Sequence, residues 1–313
     1  MLFRQLEYFV ALADEQHFAR AAAACYVSQP ALSEAIHKLE RELDVSLIRR
    51  GHAFEGLTPE GERLVVWARR ILADHDAMKQ EVSSMQTGLT GRLRLGAIPA
   101  ASTTVAGLIE AFAGSHPRVH IDLVADLSTS DIVRRVRRFE LDAGLIYSDQ
   151  TLTAGLDVVQ LYLERHVLLV PAGFLPETQT SLSWADAAKL PLCLLEGSMH
   201  GRRIVDEALA DLGIVAEPQV ETDSIATLGA LVDSGRWAGI IPRPWAQLWA
   251  RPPATRLVEL VDPVVRSEVG LVTNPGAPGS MVARAFVDCA RGLASVGLGC
   301  AAEREPNEPE AWV

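Results

Sequence analysis

The sequence predicts an α/β protein in three parts: a small helical N-terminal unit, one long helix, and a pair of similar αβ lobes. Three observations predict it. Residues 1–58 place apolar side chains at helical spacing, residues 59–88 keep one apolar stripe, and strand-like and helix-like runs alternate from Arg92 onward.

The first helix sets Leu2, Leu6, Phe9, Val10 and Ala13 on one face, and a short alanine-rich helix follows over residues 18–25. A third helix is written in SQPALSEAIHKLEREL. Ser28 is an N-cap, and Pro30 is tolerated in the first turn, where backbone N–H groups have no helical partner. Leu32, Ala35, Ile36, Leu39 and Leu43 share one face of it, and Gln29, Pro30, Ser33, Glu34, His37, Lys38 and Arg41 share the other. The run DVSLIRRGHAFEGLT has the alternation and glycine turns of a small β-hairpin.

Thr58 then caps a long helix with Pro59 in its first turn, running to about Gln86 and ended by Gly88 and Gly91. Leu64, Ala68, Ile71, His75, Met78, Val82 and Met85 recur at alternating spacings of four and three, which is a heptad seam. Such a seam packs either on its own chain or on the same helix of a second copy. The helix's length and polar flanks favour the second copy, hence a homodimer.

From Arg92 the order is strand (RLRLGAI), helix (STTVAGLIEAFAGS), strand (VHIDLVA), helix (STSDIVRRVRRF) and strand (LDAGLIY), the signature of a parallel, doubly wound sheet. Two strand-like runs, LDVVQLYL and HVLLVPA, lead to a second αβ series: PLCLLE, RIVDEALADLG, PQVET, SIATLGALVDSG and GIIP. A strand, EVGLVT, and a helix, SMVARAFVDCARGLA, complete the pattern. This predicts an N-terminal unit over 1–58, a linker helix over 59–88, and a two-lobed domain over 91–298. Lobe I takes about 91–163 and 267–298, and lobe II about 164–266, with a cleft between them. The Pro- and Glu-rich residues 299–313 read as disordered.

The chain's 313 residues, 49% of them hydrophobic, are ample for two or three cores. No run approaches the roughly 20 apolar residues of a membrane span, and the N-terminus lacks the pattern of a secretory signal. Cys25, Cys193, Cys289 and Cys300 stand far apart with no CxxC pair, so no disulfide framework or zinc site is implied and a cytoplasmic protein is expected. The formal charge of −11 argues against a nucleic-acid partner. Through Thr58 there are six basic residues against eight acidic ones, a net of −2, so DNA binding has to rest on where charges sit.

RQLEYFVALADEQHFARAAAACYVSQPALSEAIHKLERELDVSLIRR followed by GLTPEG resembles the winged helix-turn-helix of LysR-type transcriptional regulators. The match is specific in SQPALSxxIxxLExxL, the LxxR after it and the LTPEG opening the linker helix, and it covers roughly the first 65 residues. Beyond them the likeness is one of layout: a long linker helix, then two Rossmann-like lobes resembling type 2 periplasmic binding proteins. GRLRLGAIP, LDAGLI and GIIP look like family landmarks. The resemblance implies a transcription regulator that is not an enzyme, dimerises through the linker helix and often assembles into a tetramer. Its expected partners are double-stranded promoter or operator DNA, a small effector held between the lobes, and RNA polymerase. No cofactor, metal or membrane is expected.

The third helix is then the candidate recognition helix. Gln29 suits a bidentate contact with adenine, Pro30 packs on thymine methyls, and Ser33 serves base or phosphate. Ser28 and His37 flank that face, and Lys38 and Arg4 are placed for phosphates. Members commonly carry a basic residue where this chain has Glu34, which either accepts from cytosine N4 or points away from the phosphates. The wing between LxxR and LTP lacks the arginines frequent in the family, leaving Arg49 and Arg50, with His52 when protonated, to anchor it. Modest affinity per half-site, strong salt dependence and reliance on more than one dimer follow.

Junctions where a strand ends and a helix begins collect free N–H groups and hydroxyls, a place for a small anion. They supply Ser102 and Thr103, Ser128 and Thr129, Ser198, His200 and Arg202, and Asp223 and Ser224. Helix capping alone also explains any one of these. Where many relatives place Ser or Thr after the first strand this chain has Ala100, so either Ser102 substitutes or the effector lacks that contact. His200 resembles in place the redox cysteine of peroxide-sensing relatives, which argues against thiol chemistry there. Enzyme signatures are missing: there is no GxSxG, GxGxxG after the first strand, HExxH or P-loop. A ligand carrier, the other rival, needs an export signal and no recognition helix.

Overall fold

The computed structural model describes residues 1–50, 54–249, 254–275 and 280–295. Gly51 and His52 of the wing, the side chains of Arg50 and Met85, the end of lobe I at 296–298, and the tail 299–313 with Cys300 lie outside the described residues.

The N-terminal unit is built from α1 (Phe3–Glu15), α2 (Phe18–Ala24) and α3 (Gln29–Leu43), then the hairpin strands β1 (Ile48–Arg50) and β2 (Phe54–Leu57) and helix α4 (Pro59–Thr87). Its core is the apolar face of each helix: Leu6, Phe9 and Leu12 meet Leu32, Ile36 and Leu39. Thr58 caps α4, its Oγ1 accepting from the Gly61 backbone N–H at 3.0 Å. Gly61 is needed by packing, since a Cβ there would stand 2.2 Å from the backbone oxygen of Leu47.

The seam of α4 divides in a way its spacing does not reveal. Ala68 is fully buried in the N-terminal core of its own chain, with Leu64 and Ile71 packed against that core. His75 stacks on Phe3 of α1, ring centroids 4.3 Å apart. Ala68 is thus taken up by its own chain, while Leu64, Ile71 and His75 are only half-buried there and keep a side open to a partner helix. Met78 and Val82 remain open, 58% and 66% exposed. The packing boundary therefore falls inside α4, because its first turns complete the N-terminal core.

Lobe I follows as β3 (Gly91–Ala97), α5 (Ser102–Ser115), β4 (Val119–Val124), α6 (Thr129–Arg137) and β5 (Ala143–Tyr147). Next comes β6 (Asp157–Pro171), a single strand of 15 residues where the sequence suggested two. Lobe II contains β7 (Ser181–Ser183), α7 (Trp184–Ala187), β8 (Leu192–Leu195), α8 (His200–Ala210), β9 (Val220–Thr222), α9 (Ile225–Asp233), β10 (Ala238–Pro242), α10 (Arg243–Trp249) and β11 (Thr255–Val261). The chain returns through β12 (Arg266–Thr273) and ends in α11 (Met281–Ser295). The elements β7, α7, α10 and β11 were not legible in the sequence.

The strand order β4-β3-β5-β12-β6-β10-β8-β9 runs through both lobes. β3 is parallel to β4 and β5, and β8 is parallel to β9 and β10, but β12 and β6 run antiparallel to their neighbours. The first part of β6 pairs with β12 in lobe I, up to Arg165 opposite Arg266, and its second part pairs with β10 from His166 opposite Pro242. One strand thus carries the chain from one sheet into the other. The linker side is tied to lobe I by Arg69 of α4, which reaches Asp14 of α1 and, at 2.7 Å, Glu140.

Candidate nucleic-acid interface and interlobe cleft

The recognition face exists because α3 is held from behind. Leu32, Ile36 and Leu39 are fully buried, and Gln5, itself buried, donates from Nε2 to the Ala35 carbonyl at 3.5 Å. Ser28 Oγ accepts from the Ala31 N–H at 3.4 Å, capping the helix. The opposite side is open: Gln29, Pro30, Glu34 and Lys38 are exposed, with Ser33 and His37 half-exposed beside them. Glu34 meets Arg41 at 3.0 Å, an exposed ion pair that water weakens and that a phosphate can displace. His37 Nδ1 lies 3.6 Å from Glu40 Oε2. Arg4 is exposed on α1 and borders a concavity with Tyr26, which projects from the α2–α3 turn; Arg49 is exposed on β1. The face is therefore polar hydroxyl and amide at the start of α3, with cations at its edges.

The cleft is formed where helix starts from the two lobes meet. His200, the first residue of α8, stacks on Tyr147 at the end of β5, ring centroids 4.2 Å apart. Trp245 of α10 donates from Nε1 to the carbonyl of Ala100 at 2.9 Å. Of the junction residues, Thr103 and Thr129 have hydroxyl oxygens that are buried with no partner in the protein. Ser128 Oγ accepts from the Asp131 N–H at 3.1 Å and Ser224 Oγ from the Thr227 N–H at 3.3 Å, so both cap their helices. Ser102 donates weakly to the Ala125 carbonyl at 3.5 Å, Ala100 is buried, and Ser198 and Asp223 are exposed.

Arg202 requires correction. Its guanidinium is buried inside lobe II, held by Asp206 at 2.8 Å, by the Leu195 carbonyl at 2.9 Å and by Glu221. These partners engage its Nε and Nη1, and the two carboxylates balance its charge.

Several cleft residues escaped the sequence reading. Glu164 and His166 of β6 are almost wholly buried, and Tyr147 OH donates to Glu164 Oε1. Thr104 donates to Tyr162 OH at 3.3 Å. Burial pushes the Glu164 carboxyl up to about 7, opposed by the Tyr147 hydrogen bond and the neighbouring Tyr162 hydroxyl. Burial, then the nearby His200, pushes the His166 imidazole down to about 4. The signal available was the charged triplet Glu164, Arg165, His166 between two apolar runs, which reads as a strand break. Among the described residues no three His, Cys, Asp or Glu side chains are placed to hold a metal ion, and no helix is long and apolar enough to cross a membrane.

Comparison with known proteins agrees at each level. The family model described as "Bacterial regulatory helix-turn-helix protein, lysR family" matches residues 3–62, and "LysR substrate binding domain" matches residues 86–295. The chain is 32% identical over 296 residues to an SDS degradation transcriptional activation protein of Pseudomonas sp. (strain ATCC 19151), covering 90% of this chain and 93% of that one. It is 29% identical to the DNA-binding transcriptional dual regulator OxyR of Escherichia coli (strain K12), covering 89% and 91%. A full-length OxyR variant from Pseudomonas aeruginosa superposes with a TM-score of 0.76 at 27% identity, covering 93% of this chain and 95% of that chain. CbnR complexed with its target DNA has the same fold, with a TM-score of 0.65 at 22% identity over 94% of this chain and 100% of that one. From the capped recognition helix to the joined pair of lobes, the chain is a member of the LysR family, DNA-binding transcription regulators that carry an effector-binding domain.

Proposed function

We propose that this regulator reads its operator through Gln29, Pro30 and Ser33 of α3, with Arg4, Lys38, Arg49 and Arg50 on phosphates and Ser28, Glu34 and His37 beside them, and that a small organic anion between its lobes resets it. The observation that carries the effector half is the pair of buried hydroxyls without protein partners, Thr103 and Thr129, in the opening turns of α5 and α6. Buried polar atoms without partners are uncommon, and a carboxylate accepts from hydroxyl and helical N–H donors at once. Thr103 and Thr129 are the contacts from lobe I and His200 the contact from lobe II; Ala100, Ser102, Ser128, Ser198, Asp223 and Ser224 shape the rim.

The molecule acts as a dimer, joined where Met78, Val82 and Met85 extend α4 beyond its own core, and as a tetramer on longer operators. It works in the cytoplasm with RNA polymerase, by binding and not by catalysis. A peroxide response through thiols is not part of this reading. Burial pushes the Cys193 thiol up to about 11 and raises those of Cys25 and Cys289, so none is activated as a thiolate. A thermal-shift screen of small acids on the full-length protein, followed by gel shifts on its own promoter region, tests the proposal. Stabilisation by neutral or cationic ligands alone, with no acid active, rejects the anion.

A further inference from the structure

Two almost wholly buried side chains at the crossover, Glu164 and His166, hold polar atoms without protein partners, as does Nε of Arg165 between them. Glu164 is 1% exposed and His166 4% exposed. Glu164 Oε1 is occupied by the Tyr147 hydroxyl, yet Oε2 has no partner, and neither Nδ1 nor Nε2 of His166 has one. The two residues lie two apart on β6, so their side chains leave the same face of the strand. They stand where β6 passes from one sheet to the other: Glu164 pairs with Ser267 of β12, and His166 with Pro242 of β10. Tyr147, which fixes Glu164, also carries the stack with His200 that crosses between the lobes. The unsatisfied atoms therefore lie at the crossover between the two sheets, one hydrogen bond from the Tyr147–His200 contact.

Leaving the three buried polar atoms of Glu164 and His166 unpaired is unfavourable, and the chemistry of the atoms says what would pair them. A carboxylate oxygen takes a donor. A neutral imidazole offers one donor and one acceptor. We propose that Glu164 and His166 form a second subsite of the cleft, which selects effectors carrying an O–H or N–H donor beside their carboxylate. This rests on the anion reading above: the carboxylate goes to the Thr103 and Thr129 end, and the donor points to Glu164 Oε2. A molecule with both groups satisfies both ends of the cleft and bridges the strand that joins the two sheets.

The test uses the full-length protein and acids that share a skeleton but differ in one group. Propionate, lactate and alanine form one set; succinate, malate and aspartate a second; phenylacetate, mandelate and phenylalanine a third. The concentration giving half-maximal thermal stabilisation is read for each. In the wild type, the hydroxyl or amino member of at least one set acts at about tenfold lower concentration than its parent acid, the discrimination expected of one net hydrogen bond. Which of the two is preferred separates O–H from N–H recognition. In Glu164→Met the preference collapses to about one while the parent acid still binds. His166→Phe reads the same loss should Glu164→Met fail to fold. Equal action of all members in the wild type overturns the subsite and leaves the anion reading standing. No response to any acid overturns both.

Discussion

Removing either Glu164 or His166 changes how stability depends on pH, and in opposite directions. The Glu164 carboxyl is pushed up to about 7 from an ordinary 4.5 by burial, opposed by the Tyr147 hydrogen bond and the neighbouring Tyr162 hydroxyl. A folded pKa above the unfolded one means that its contribution is complete below about pH 4.5 and is lost as pH rises through about 7. The His166 imidazole is pushed down to about 4 from an ordinary 6.5 by burial and by His200, which itself faces Arg203 and Asp149. Its contribution is complete above about pH 6.5 and is lost as pH falls through about 4. Each shift corresponds to about 3 kcal/mol at full extent. Between about pH 4.5 and 6.5 the two slopes oppose and nearly cancel.

Glu164→Gln therefore uncovers the histidine: relative to the wild type, the variant gains stability as pH rises through this window. His166→Gln uncovers the carboxyl, and that variant loses stability over the same range. Urea midpoints of the full-length wild type and both variants, taken at one protein concentration between pH 4.5 and 7, measure this. All other titrating groups drop out of the differences. Wild-type-minus-variant curves that are flat with pH, or slopes of the opposite sign, refute the assignment of buried, unpaired groups at the crossover.

Gln29→Ala lowers discrimination at one base pair of the selected site by about 1–3 kcal/mol, while Lys38→Ala weakens binding to all sequences and reduces the salt slope by about one. Binding selections from random DNA and salt titrations separate the two effects; a unchanged sequence preference in Gln29→Ala refutes the recognition face. Gly61→Ala puts a methyl against the Leu47 carbonyl and destabilises the N-terminal unit by about 1–3 kcal/mol, seen as a lower melting temperature, whereas an unshifted melting curve shows that the wing junction yields. Met78→Asp combined with Val82→Asp shifts sedimentation towards the monomer, because both side chains stand exposed on α4 beyond the N-terminal core. The substitution Ala68→Ser, inside that core, acts on stability first. An undisturbed dimer in the aspartate variant removes the end of α4 from the interface.

The N-terminal unit was legible because its order is local. The Ser28 cap, Pro30 in the first turn and the 3.6-residue stripe through Leu32, Ile36 and Leu39 all act within one helix. The αβ alternation of both lobes was equally plain, since each strand and helix carries its own period. The effector residues were less so. Ser128 and Ser224 cap helix N–H groups in the structure, and Arg202 is held by carboxylates inside lobe II. Spacing says that a side chain is near a junction, not which neighbour has already claimed it.

The sequence by itself determined the capped third helix with its polar face, the long linker and the pair of αβ lobes, because periodicity and capping are properties of contiguous residues. Tertiary structure alone decided that Ala68 of the α4 seam is buried in the N-terminal core, and that one unbroken strand carries Glu164 and His166 across the two sheets. Both outcomes depend on contacts between segments far apart in the chain, where burial, pairing and the resulting shifts in proton affinity are set by neighbours that no local pattern encodes.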